Sequence, residues 1–237
     1  MPKVGLLTIS DGRASVHADV GSYALGSEDG VARALEAAGH TLVRAEEVVW
    51  TNELAVREAR RIADARPDVT IINIPVWAFP HFSMIAARET PGPLLLFSNV
   101  DPQYPGMVGM LAAAGALDQI GRVYGRAWGD VADAGVVARI GTHISAGAAI
   151  NGLRGTTFGR IGGRPMGMYT AVSNPDQWMR IFGVDVEEID QWELVRRSEG
   201  VSASRVAGAR GWLEAHAAGV HYDGDRLKIR YIRSPRV

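Results

Sequence analysis

The chain contains no cysteine. That excludes a disulfide framework, and it restricts any metal site to His, carboxylate or backbone oxygen ligands. An excess of one charge is also missing. The formal net charge is −1, so no basic footprint points to nucleic acid or to an anionic membrane surface. Long apolar runs are absent too. No stretch approaches the roughly 20 residues of a membrane helix. The opening MPKVGLLTIS has too short an apolar run for a signal peptide and leads straight into a strand pattern. A cytoplasmic protein with no nucleic-acid or membrane partner is expected.

Catalytic signatures are equally scarce. There is no Walker A sequence, no HExxH and no GxSxG. The six histidines are scattered, with no pair at ligand spacing. GRIGGRPMG (159–167) follows a strand pattern, but its spacing departs from the dinucleotide fingerprint. It reads as a tight strand-to-helix turn that lets backbone approach a ligand. The acidic residues Glu187, Glu188, Asp190 and Glu193 read as a helix cap and a solvated edge rather than a metal site. Nothing in these residues assembles an acid/base pair or a nucleophile.

What is present is a repeated switch between strand and helix periodicity. Residues 4–9, 41–44, 69–74 and 93–98 read as strands, with a fifth at 122–127. Helices are expected at 28–38, 52–65, 82–88, 106–117 and 131–153. Gly39 closes the first, and Asn52 is the expected N-cap of the second. VTIINI and PLLLF are continuous apolar runs, as strands buried on both faces of a parallel sheet require. The fold class is therefore α/β: a Rossmann-like parallel sheet with helices on both faces over residues 1–152. An antiparallel α+β fold is the alternative. A second, incomplete α/β domain is expected over 153–237. It has strands at 156–161 and 184–189, and helices at 175–182 and 202–218. Asn174 caps the first of these helices, and DQWE (190–193) reads as a capping box. The tail GDRLKIRYIRSPRV is basic, with one short strand-like run.

In such sheets ligands bind outside the carboxyl ends of the strands. Four segments occupy those ends: SDGR (10–13), PVWAFPH (75–81), SNVDPQYPG (98–106) and GGRPMG (162–167). Their chemistry suits a sugar or polyol. Trp77 offers a flat apolar face to sugar C–H groups. Arg13, Asn99, Asp101 and Gln103 offer directional hydrogen bonds, and His81 stands at the end of the aromatic loop. Prolines 75, 80, 102 and 105 hold the loops in shape, which reduces the entropy lost on binding. Each residue also has a plainer reading. Trp77 can cap the core, Arg13 can pair with Asp11, and His81 can pack at the start of a helix. Asn99 and Asp101 can form turns, and Tyr104 can serve an interface. Trp178, Trp192 and Trp212 sit at helical positions and read as core or interface.

The stretches TISDGR, EEVVWTNELAVREAR, NIPVWAFPHF, LLFSNVDPQYPGMVGMLAAAGALDQIGR and GGRPMGMYTAVSNPDQWMRIFGVDVEEIDQWELVRR together resemble the L-fucose isomerase-like family. That family belongs with the L-fucose and L-arabinose isomerases, and the likeness runs from about residue 3 to about residue 224. The resemblance implies Rossmann-like domains in closed homo-oligomers, and an aldose or ketose sugar as substrate. It implies interconversion through an enediol assisted by a divalent cation, usually Mn²⁺. It implies that the first domain closes over a neighbouring subunit's site, with Arg13 and Trp77 touching the sugar. The resemblance places the metal ligands in later segments that find no counterpart here. The expectation is thus an N-terminal lid and assembly portion with no cofactor of its own, inactive alone. It would come from a truncated or frameshifted gene, or from an enzyme split with a C-terminal polypeptide. The alternatives are a non-catalytic sugar-binding or oligomerisation module and a non-functional remnant.

Overall fold

The computed structural model describes residues 1–223 and 226–229. The terminal RYIRSPRV lies outside the described residues. The chain divides into two compact units, Met1–Gly155 and Thr156–Val237.

The first unit runs β1 (Lys3–Thr8), α1 (Ala14–Ala37), β2 (Thr41–Arg44), α2 (Asn52–Asp64), β3 (Val69–Asn73), α3 (Pro80–Glu89), β4 (Leu94–Ser98), α4 (Gly106–Gln119), β5 (Gly125–Trp128) and α5 (Ala134–Leu153). Its five strands pair in the order β2-β1-β3-β4-β5, and every pairing is parallel. This is the α/β fold read from the sequence. Every residue of β3 and β4 is buried, because helices cover both faces. Successive side chains of a strand point to opposite faces, so neighbours join different cores. Leu7, Ile72 and Leu96 pack with Phe82 of α3 and Met110 and Leu117 of α4. Leu6, Ile71 and Leu95 pack on the other face with Val31 and Leu35 of α1 and Ile140 and Ile144 of α5. Each such side chain contributes about 1.5–3 kcal/mol by leaving water.

Strand β5 spans Gly125–Trp128 rather than 122–127, and three features of the helices also differ from the sequence reading. Helix α1 begins at Ala14 rather than at residue 28. Gly21 and Gly26 weaken the helical signal there, and burial of Ala24, Glu28, Val31, Ala32 and Leu35 against the sheet outweighs that weakness. Buried Glu28 is matched by Arg44 of β2 at 2.9 Å. The N-cap of α2 is Thr51, whose hydroxyl accepts from the Leu54 N–H; Asn52 is the first helical residue. Helix α3 begins at Pro80, whose fixed φ suits a first helical turn.

In the second unit β6 (Thr157–Ile161) pairs in parallel with β7 (Asp185–Ile189). Helix α6 (Pro175–Phe182) is capped by Asn174 and stopped by Gly183 in the left-handed conformation. Helices α7 (Gln191–Glu199) and α8 (Ala203–His216) follow, then the antiparallel pair β8 (Val220–Asp223) and β9 (Arg226–Ile229). Asp190 caps α7 by accepting from the Trp192 N–H. The capping box is only half formed, because the Glu193 carboxylate turns to Arg196 and Arg197. Those two guanidinium groups hold the Glu193 carboxyl down at about 2. Trp192 and Trp212 are exposed at 69% and 53%, so neither joins a core within the described residues. Trp178 leans against Phe158, with ring centroids 4.9 Å apart.

Candidate functional site

The strand order creates a crevice at one place. From β1 the chain turns to β2 on one side, and from β3 it turns to β4 on the other. Accordingly α1 packs on one face of the sheet and α3 on the opposite face. The segments leaving β1 and β3 therefore lead to opposite faces from the carboxyl ends of two adjacent strands, the place where sheets of this kind bind ligands. Residues 10–13 and 74–79 meet there.

The aromatic loop is held from beneath. Pro75, Val76 and Ala78 are buried, and the Ser98 hydroxyl donates to the Ile74 carbonyl at 2.8 Å. Helix α4 begins directly below the loop. A Cβ on Gly106 would sit 2.6 Å from the carbonyl oxygens of Ile74 and Pro75, and one on Gly109 3.0 Å from the Val76 carbonyl. Only glycine allows this approach. The facing turn docks by the same device. A Cβ on Gly12 would lie 2.7 Å from Phe79 Cδ2 and 2.8 Å from Phe82 Cζ. The turn thus sits on the rings of Phe79 and Phe82.

This packing brings Arg13 and Trp77 together. The Arg13 guanidinium lies over the Trp77 ring, 5.5 Å from its centroid. Asp11, only 2% exposed, fixes the guanidinium. Arg13 Nε donates to Asp11 Oδ1 at 2.9 Å and Nη2 to Oδ2 at 2.6 Å, a two-pronged ion pair. The Arg13 backbone N–H also donates to Oδ1. These bonds outweigh the opposing effect of burial and hold the Asp11 carboxyl below its usual range. Trp77 in turn meets Phe79 edge-on at 4.9 Å. So Arg13 pairs with Asp11, as one plain reading had it, and also faces Trp77. His81 is exposed in the first turn of α3, with its ring 4.2 Å from that of Phe82.

Asn99 and Gln103 are tied into a different cluster. The Tyr23 hydroxyl donates to Asp101 Oδ2 at 2.7 Å, and Asn99 Nδ2 donates to the Tyr23 oxygen. Tyr104 stacks on Tyr23 with centroids 3.7 Å apart. Gln103 is exposed, and it is its backbone N–H that binds Asp101 Oδ1. Burial, then the bond to Asp101, pushes the Tyr23 phenol up to about 12. This cluster edges a cleft of about 400 Å³ between α1 and the segments following β4 and β5. Tyr23 was not singled out in the sequence, because its stretch does not read as helix there. The turn 162–167 follows β6 in the second unit. It puts Gly162, Gly163, Met166 and Gly167 at positive φ.

Among the described residues, no group of three or more His, Asp or Glu side chains could hold a metal ion. These residues therefore do not fit a catalytic Mn²⁺ centre. Among them, too, no helix is long and apolar enough to cross a membrane.

Residues 1–155 match the family model described as "L-fucose isomerase, first N-terminal domain". A comparison with curated proteins returns no match. The family match spans the whole of the five-stranded unit that carries the Arg13–Trp77 crevice, and it makes this chain a member of the L-fucose isomerase family through that family's first N-terminal domain.

Proposed function

We propose that the first unit supplies the substrate-contacting lid of a metal-dependent aldose–ketose isomerase, with Arg13 and Trp77 meeting the sugar at a subunit boundary. The observation that carries this reading is the guanidinium held over the indole in the crevice between β1 and β3. An indole face packs against the C–H groups of a sugar ring. The guanidinium keeps N–H donors beyond those spent on Asp11, and in this reading they serve sugar hydroxyl groups. Both groups are immobilised before a ligand arrives, so little ordering entropy opposes binding. A lid of this kind acts on a neighbouring copy, so the reading includes a homo-oligomer.

The reaction class in this reading would draw on a divalent cation as Lewis acid. The described residues do not fit that cation, and we assign them no proton transfer. The same misfit favours a second reading, a sugar-binding or assembly module without catalysis. Both predict binding. Isothermal titration of the 237-residue chain with L-fucose and L-arabinose should give saturable heats, reduced in Trp77→Ala at unchanged circular dichroism. Heats unchanged by Trp77→Ala would overturn both readings. An isomerase assay with Mn²⁺ separates them from a self-sufficient enzyme: the chain alone should not turn over either sugar, and robust turnover refutes the assignment.

A further inference from the structure

The turn that carries Arg13 is gripped by one further side chain. His17, near the start of α1, bonds to both ends of residues 10–13. Its backbone N–H donates to the Arg13 carbonyl at 2.8 Å, as any helix of this start would have it. Its side chain adds a bond that the helix does not supply. Ring Nδ1 and the Ser10 hydroxyl share a hydrogen bond at 3.1 Å. Ser10 is fully buried, and its own N–H donates to the Val49 carbonyl at 2.8 Å. Asp11, which fixes the guanidinium, stands between these two anchors in the chain. Gly12 brings more conformational freedom to the turn than any other residue would, so the turn depends on anchors at its ends.

The ring itself is held on two sides. It stacks on Trp50 with centroids 4.7 Å apart and planes 9° from parallel. Trp50 packs in turn against the core beneath α2 and α3. Gly21 lies one helical turn further on, on the same face as His17. A Cβ there would come within 3.2 Å of the ring. Burial lowers the affinity of the imidazole for a proton and outweighs the pull of the Asp11 carboxylate. The ring is therefore neutral at pH 7, and His17 does not compete with Arg13 for that carboxylate. Both hydrogen bonds of His17 end on the turn, not on the guanidinium or the indole.

We propose that His17 is a positioning residue for the crevice: clamped on Trp50, it ties Ser10 to the start of α1 and so sets the turn from which Asp11 holds Arg13 over Trp77. This deepens the sugar-contact reading and rests on it for the effect on affinity. The geometry itself can be tested with no ligand present.

Three substitutions in the full chain separate the bond from the stack. His17→Phe keeps a ring on Trp50 and removes the bond. Ser10→Ala removes the bond from its other end, with the smallest change in shape. His17→Asn gives up the ring and keeps an amide group able to bond the Ser10 hydroxyl. The first readout is exchange of the Arg13 side-chain Nε–H with solvent, followed by NMR at fixed pH; Asp11 protects that proton. His17→Phe and Ser10→Ala should each speed the exchange by about 3- to 10-fold, the size expected from loss of one hydrogen bond. The backbone amides of β1 should keep their wild-type rates, and His17→Asn should keep the wild-type rate at Arg13. An unchanged Arg13 rate in folded Ser10→Ala overturns the proposal. So does equal acceleration of the β1 amides, or a His17→Asn variant as fast as His17→Phe.

The second readout is L-fucose affinity. His17→Phe should raise Kd by the same factor in the otherwise wild-type chain and leave it unchanged in an Arg13→Ala background, because the residue acts through Arg13. A loss that persists undiminished without Arg13 contradicts the assignment. A wild-type chain that does not bind L-fucose sinks the sugar reading alone, and the exchange rates then decide the role of His17.

Discussion

The two units share a strand–helix alternation and differ in what covers it. In the first, β4 is buried at all of its residues; in the second, β6 is exposed at all but one. Of the second unit's residues with described side chains, Val184 alone is buried. Parallel hydrogen bonding is present in both. The contrast shows how little backbone pairing guarantees. Each hydrogen bond nets about 0.5–1.5 kcal/mol, whereas fixing a residue's backbone costs about 1–2 kcal/mol. The first unit offsets that cost with two apolar cores. The second has local devices: the caps Asn174, Asp190 and Ser202, the Gly183 stop and the Arg160–Glu188 pair across β6 and β7. Precise placement of side chains, the requirement for a binding crevice, is available only in the first.

Core truncation separates the units most strongly. Leu96→Ala, in fully buried β4, should destabilise the first unit by about 2–5 kcal/mol. Leu194→Ala, at a side chain 56% exposed in α7, should change the second by no more than about 0.5 kcal/mol. Native-state hydrogen exchange reads each unit's amides separately. Equal effects would erase the distinction drawn here.

Glycine substitution should give opposite signs. Gly106→Ala pushes a Cβ into the backbone of the aromatic loop and should cost about 1–3 kcal/mol. Gly208→Ala, in α8 with nothing within 4 Å, should stabilise its helix by about 0.5–1 kcal/mol. Urea denaturation followed by circular dichroism checks both.

The smallest contrast is in pH dependence. Tyr23 titrates near 12 when folded and near 10 when unfolded. Its contribution is therefore complete below pH 10 and is lost as pH rises toward 12. Tyr23→Phe should flatten that stretch of the first unit's pH profile. Glu193 in the second unit is lowered to about 2, but its partners Arg196 and Arg197 are solvent-exposed, so Glu193→Gln should leave stability nearly unchanged. An acid-labile second unit rescued by Glu193→Gln would contradict this.

Much of the first unit was legible because its strands are uninterrupted apolar runs. The loops that meet at the crevice could be placed at the carboxyl ends of the strands from the strand–helix alternation alone, whereas the strand order that makes two of them neighbours comes from the fold. Other features depend on tertiary packing. The first half of α1 was hidden because Gly21 and Gly26 dilute its periodicity while the sheet holds it in place. Tyr23 was hidden with it. Asn99 and Gln103 stand in the expected segment, but the hydroxyl of Tyr23, 76 residues from Asn99 in sequence, draws Asn99 into a separate cleft. The expectation of core or interface roles for Trp192 and Trp212 followed helix position; what their neighbours fail to cover is a property of the fold.

The most direct test of the crevice is a double-mutant cycle on L-fucose affinity with Arg13→Ala, Trp77→Ala and the pair. Each single change should weaken binding. The double variant should fall short of their sum by at least about 0.5 kcal/mol, the coupling expected of a guanidinium stacked on an indole. Strict additivity, or affinity indifferent to both residues, would contradict a shared sugar-contacting surface.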